Sequence, residues 1–146
     1  METEPSRSAR HDARWSTVAH QYLPHCDAPL LVPVTFGYRR SDPLRVRATF
    51  HCPQDDDVVW DLGRDLLATG TRTVSGGADL LVWPAEGPEP QRQVWLRLGP
   101  HHTHALLALD RTGLLAWLET TYALVPADSE GDHLDWTPIE QLLAGR

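Results

Sequence analysis

A chain of 146 residues is long enough to bury one substantial hydrophobic core and suits one domain. Its 41% apolar and 23% charged residues are ordinary for a soluble globular protein, and no apolar run approaches the ~20 residues that a membrane helix needs. The formal net charge of −7, with every one of the 13 basic residues an arginine, argues against a general nucleic-acid binder, and two cysteines are too few for a disulfide framework.

Met1 to Arg14 is polar and charged, with no apolar stretch of the secretory kind, so residues 1–14 are predicted to be a disordered tail and 15–146 a single domain in the cytoplasm. Thr17 to Leu23 predicts a first strand, Pro24 to Pro29 a turn, and Leu30 to Tyr38 a second strand whose Pro33 suggests an edge or a bulge. Asp42-Pro43 is a turn signal. Leu44 to His51 then alternates strictly, Leu44, Val46, Ala48 and Phe50 on one face and Arg45, Arg47, Thr49 and His51 on the other, as a half-buried strand does.

A short strand Val58-Val59-Trp60 follows. Asp61 is placed to N-cap a helix from Leu62 to Thr69, and Gly70 to close it in a left-handed cap. Ala78 to Trp83 predicts a strand apolar on both faces and stopped by Pro84. Gln93 to Leu98 and His104 to Leu109 predict two more, separated by turns at 85–91 and at Gly99-Pro100. Arg111 to Leu124 is the longest predicted helix, with Asp110 as N-cap and a stripe of Leu114, Leu118 and Tyr122 with Leu115 beside it. An acidic loop from Ala127 to Asp135 leads to a last helix, announced by Thr137, Pro138 and Glu140, with Ile139, Leu142 and Leu143 on its apolar face. Hairpin-length connections favour antiparallel pairing. The expected class is α+β: mainly antiparallel sheets in two β-β-β-α passages, with a short middle helix and two C-terminal helices. The expected core is Val46, Phe50, Trp60, Leu66, Leu67, Val82, Trp83, Leu96, Leu107, Leu114 and Leu118.

Signals for chemistry are weak. His101-His102-x-His104 lacks a Cys or acidic partner at metal-site spacing, and adjacent His25-Cys26 and His51-Cys52 point to opposite faces of an extended chain. Asp55-Asp56-Asp57 has neither the glycine nor the distal glutamate of a calcium loop. No Gly-x-Ser-x-Gly elbow and no glycine-rich phosphate loop occurs. The expectation is therefore no catalytic residues, no metal, no cofactor and no enzyme. The one candidate interaction surface is the arginine cluster Arg39, Arg40, Arg45 and Arg47.

The central residues carry a resemblance. Tyr38-x₃-Asp42-Pro43-x₂-Val46-x-Ala48-x-Phe50, Val59-Trp60, Arg64-Asp65-Leu66-Leu67-x₂-Gly70 and Asp79-x₂-Val82-Trp83-Pro84 resemble the SsgA-like sporulation and cell-division proteins of actinomycetes, over about Ala28 to Ala144. The pattern departs at Gly76-Gly77-Ala78-Asp79, where the family often has Gly-x-Gly-Asp. The resemblance implies a Whirly-like fold and a homotrimer. It also implies a non-enzymatic adaptor that helps place the septum and its FtsZ ring, working with division proteins and SsgA-like paralogues at the septum. The alternative it allows is a Whirly-like single-stranded nucleic-acid binder.

Overall fold

The computed structural model describes residues 11–86, 92–100 and 103–127. Ten elements follow one another: β1 (Ala13–Tyr22), β2 (Leu30–Arg39), β3 (Asp42–Phe50), β4 (Val58–Gly63), α1 (Arg64–Gly70), β5 (Ser75–Gly76), β6 (Leu80–Pro84), β7 (Gln93–Leu98), β8 (Ala105–Asp110) and α2 (Arg111–Leu124). The strands form one antiparallel sheet in the order β4-β3-β2-β1-β8-β7-β6-β5. Two four-stranded meanders therefore meet at the β1–β8 seam. The expected passages of three strands gain a fourth each, and the expected separate sheets are one. The two-residue β5 is too short to leave an alternation in the sequence.

The sheet curls around its helices. α1 touches β3 and β4 on one flank and β5 and β6 on the other, while α2 lies against β1, β7 and β8. Alternate residues of every strand face inward, and Val34, Phe36, Tyr38, Val46, Ala48, Leu62, Val82, Val94, Leu96 and Leu109 are buried there. Of the expected core, Trp60, Leu66 and Trp83 are only partly buried.

Local departures from the sequence pattern have local causes. Ala13 and Arg14, expected outside the domain, are in β1, and the Asp12 N–H donates to the Tyr38 carbonyl at 2.7 Å. Pro33 sits in an interior strand, but the β2–β3 ladder ends at Val34 opposite Phe50. Its missing N–H therefore costs no ladder bond, and its carbonyl accepts from the His51 N–H at 2.9 Å. Leu44 is exposed, since the β2–β3 register shifts between Tyr38 and Arg39 and so breaks the alternation before Val46. Asp61 belongs to β4, opposite Arg47, and Gly63 takes the N-cap of α1 with no side-chain bond. In α2 the Asp110 carboxylate accepts from the Gly113 N–H at 2.7 Å, as a capping residue does. Its buried stripe runs through Leu114, Trp117, Leu118 and Thr121, so Trp117 replaces Leu115 at the centre. The helix expected after Thr137 and the histidines His101 and His102 lie outside the described residues.

Gly70 is not a left-handed cap either. It is the last residue of α1, buried, and followed by Thr71 at φ −75°. A Cβ at Gly70 would stand 2.2 Å from Val82 Cγ1 and 2.6 Å from Val82 Cβ, so glycine is what lets α1 touch β6. Gly70→Ala gains about 1 kcal/mol of helix propensity against an overpacking cost of about 1–3 kcal/mol. Val82 is β-branched and fixed in a strand, which puts the cost at the upper end. A lowered urea midpoint is expected; an unchanged or raised one would show that α1 can move off the sheet.

Candidate interaction surface

The four arginines expected to form a surface do lie together, on the outward face of the β1–β4 meander. Register explains the grouping: Tyr38 pairs with Val46 inward, leaving Arg39 at the end of β2 and Arg45 and Arg47 on β3 facing out. Arg40 follows in the β2–β3 turn.

Carboxylates engage three of the four. Arg47 Nε donates to Asp61 Oδ1 at 3.2 Å across the β3–β4 ladder, and Arg45 Nε lies 3.2 Å from Asp42 Oδ2 with Nη1 4.0 Å from Asp61. Asp12 accepts the Arg40 backbone N–H at 2.7 Å and stands 3.6 Å from its Nε. Such exposed pairs contribute about 0–1 kcal/mol each, so they position the guanidinium groups more than they stabilise the fold. Arg39 differs. Its Nη2 is buried with no hydrogen-bond partner among the described residues, beside a ≈40 Å³ hollow lined by His11, Gly37, Asp42, Arg45, Arg47 and Asp61.

His11 closes this hollow by lying flat over Gly37, where any Cβ would meet the ring at 2.5 Å. Burial, then the neighbouring charges of Arg39, Arg14 and Arg47, hold the His11 pKa below its usual 6.5, against a smaller opposing effect of Asp12. The imidazole is thus mostly neutral at pH 7. Five arginines (14, 39, 40, 45, 47) against three aspartates (12, 42, 61) leave the patch at +2 within a chain of −7. Asp12 and Asp61 are the members that sequence reasoning misses, one placed in the tail and the other at a helix cap. Only the strand register brings them to the arginines.

Two further features share the outer face. His51 links the Thr35 hydroxyl, 3.0 Å from Nε2, to Asp57, 3.2 Å from Nδ1, with the Ser16 hydroxyl 3.4 Å beyond Thr35. Hydroxyl, imidazole and carboxylate in line can relay a proton. Here the chain lies on an open sheet face and ties β2 to the 53–57 turn. On the other meander, Tyr22, Trp95 and Trp83 form a row across β1, β7 and β6, with ring centroids 5.2 Å and 6.3 Å apart. Arg97 runs beside it, donating to the Gly77 and Ala78 carbonyls at 3.2 Å and 2.9 Å. Cys26 and Cys52 are free thiols. Among the described residues no three His, Cys, Asp or Glu side chains converge as a metal site would require, and no helix is long and apolar enough to cross a membrane.

Residues 32–130 match the family model described as Streptomyces sporulation and cell division protein, SsgA. The chain belongs to the SsgA family. It is 35% identical over 126 residues to the sporulation-specific cell division protein SsgB of Frankia casuarinae, covering 86% of this chain and 87% of that one. It is 36% identical over 109 residues to SsgB of Streptomyces coelicolor, covering 75% and 79%. The crystal structure of an SsgA-like sporulation-specific cell division protein from Thermobifida fusca superposes with a TM-score of 0.75 at 28% identity, over 90% of this chain and 93% of that one. The curled antiparallel sheet is therefore an SsgA-family fold.

The same face bears on nucleic-acid binding. Single-strand binders combine a basic groove with aromatic rings on which bases stack, and their affinity falls steeply with salt. The outward positions of β2, β3 and β4 hold no Phe, Tyr or Trp, and three of the four arginines are already engaged. Anisotropy titration of a labelled single-stranded oligonucleotide at physiological salt is expected to show no appreciable binding. Micromolar or tighter, salt-sensitive binding that disappears in Arg45→Ala/Arg47→Ala would establish the opposite.

Proposed function

We propose that this protein is a non-enzymatic adaptor in sporulation-specific cell division, acting at the septum through contacts with proteins of the division ring or its associated factors. The observation that carries this reading is the extent of its likeness to SsgB: 35% identity across 86% of the chain, with both ends of the sheet included. The outer face supports it. A tethered arginine patch on one meander and an aromatic row on the other are a polar and an apolar contact area on one rigid sheet, the composition of protein interfaces. Affinity capture from sporulating cells, followed by mass spectrometry, tests the proposal. Recovery of division proteins, reduced by Arg39→Ala/Arg47→Ala, is the expected result. Recovery of none above a mock capture would defeat it.

The adaptor is further proposed to be a homotrimer. β6 offers the supporting feature, because its inward residue Val82 is buried while Leu81 and Trp83 face outward and are only half covered within one chain. Light scattering coupled to size exclusion should give a mass near three times 16.4 kDa. A concentration-independent single-chain mass would remove the trimer.

A further inference from the structure

The outer face of the β1–β4 meander leaves two of its charges uncompensated. Register sets Arg14 opposite Gly37 and Gly37 opposite Arg47, so these lie in one row, while Arg39 stands two residues further along β2 on the same face. Asp12, Asp42 and Asp61 are taken by Arg40, Arg45 and Arg47. Arg14 and Arg39 have no carboxylate partner among the described residues, and they are the source of the positive excess in the patch. At physiological salt, charges more than ~8 Å apart are largely screened, so a ligand arriving here meets that local excess rather than the −7 of the whole chain. Arg39 carries the sharper demand. Its Nη2 is buried without an acceptor beside the ≈40 Å³ hollow, and a buried guanidinium N–H calls for one.

We propose that these two arginines receive an extended acidic segment of a protein partner, one Asp or Glu carboxylate seated in the hollow on Arg39 and a second, two residues along the segment, on Arg14. Charge, size and spacing favour this occupant. The Asp42 and Asp61 carboxylates that also line the hollow are turned to Arg45 and Arg47, so an incoming carboxylate finds Arg39 free and can take its planar fork. At about 10–15 Å³ for each water-sized atom, a hollow of ≈40 Å³ has room for about three. That suits a flat carboxylate and is tight for a tetrahedral phosphate, whether free or in a nucleic-acid backbone. Arg39 is displaced from the Arg14 row by two residues of strand, about 7 Å. An extended peptide repeats its side chains on one face at that same interval. A single small anion would answer one arginine and leave the other bare. That the acidic segment belongs to a protein rests on the adaptor reading above.

Nuclear magnetic resonance of the full chain, labelled with nitrogen-15 at arginine, tests it. The end-capped peptide Gly-Glu-Ser-Glu-Gly should shift the Arg14 and Arg39 Nε–H signals to saturation, with a Kd that rises at least ~3-fold when salt is raised to well above the physiological level. End-capped Gly-Gln-Ser-Gln-Gly should give no saturable shift. Gly-Ser-Glu-Glu-Gly, whose acidic side chains point to opposite faces of an extended chain, should bind at least ~3-fold more weakly. Arg14→Gln and Arg39→Gln should each weaken binding at least ~5-fold, Arg39→Lys less than Arg39→Gln because it keeps the charge and loses the fork. Arg72→Gln, beyond the end of α1, should leave binding unchanged. No saturable shift with the first peptide would leave the hollow to water and overturn the proposal. Equal binding of the two glutamate peptides would overturn the spacing, and displacement by equimolar inorganic phosphate would give the site to a phosphoryl group instead. Capture from sporulating cells is read separately: division proteins recovered by a chain that ignores the peptide would keep the adaptor and overturn this site alone.

Discussion

Phe36→Ala is expected to destabilise the protein by about 3–5 kcal/mol, the usual cost of emptying a buried phenylalanine site, and to lower Tm by roughly 10–20 °C for a domain of this size. Phe36 is fully buried in the middle of β2. Its ring lies 5.3 Å from Trp15 on β1 and 5.8 Å from Trp117 on α2, and those two indoles are themselves 6.4 Å apart. The three rings are the joint between α2 and the sheet. Neither neighbour can collapse into the void, because Trp15 is held by the β1 ladder opposite Phe36 and Trp117 by the helix. Phe36→Leu keeps most of the volume and should cost under half as much. Thermal melts of both variants decide it, and a loss below 1 °C in Phe36→Ala would show that α2 is not docked through this joint.

Arg64→Ala should be comparably severe, at about 3–5 kcal/mol, although arginine is ordinarily a surface residue. Arg64 opens α1 with no exposed area. Its guanidinium carbon lies 3.9 Å from the centroid of Tyr122 and 4.9 Å from that of Tyr38, and Nη1 donates to the Thr121 carbonyl at 2.9 Å. Desolvated cation–π contacts are worth about 2 kcal/mol, and a hydrogen bond from a charged donor about 1.5–3 kcal/mol, here lost from a Thr121 carbonyl that keeps the Val125 N–H. Alanine forfeits both and leaves a cavity. Arg64→Met, which restores volume without charge or donors, should recover only part of the loss, and Arg64→Lys should fall between because an ammonium cannot stack as a plane. Chemical denaturation of the series checks the order. A methionine variant as stable as the parent would reduce Arg64 to a space filler.

These two sites mark where the sequence is readable. The alternation of Val46, Ala48 and Phe50 shows a strand because local sterics and burial agree over those residues. It misleads at Leu44, where a register shift set by the facing strand breaks the period. Phe36 sits in an alternating run, but its weight in the core comes from Trp117, 81 positions away, and no local pattern reports that distance. Arg64 is opaque for the same reason: its carbonyl partner is 57 residues downstream. The arginine patch was visible as a cluster, whereas its Asp12 and Asp61 counter-charges depend on ladders that only the fold defines. Helix α2 was legible at its start, where Asp110 acts within three residues, and less so along its stripe, where Trp117 displaces Leu115.

The β1–β8 seam sets an order of events during synthesis. Nine residue pairs join β1 to β2, but only His20, Gln21 and Tyr22 join β1 to β8, through Ala108, Leu107 and Leu106. The first meander closes through contacts between chain neighbours and can pair as soon as β4 has left the ribosome. The seam closes a loop of more than eighty residues for a three-residue ladder, and such non-local pairing is the slow part of folding a β protein. Until β8 and α2 emerge, β1 presents an unpaired edge to the cell. The nascent chain is therefore exposed to mispairing from the time the first meander forms until β8 emerges.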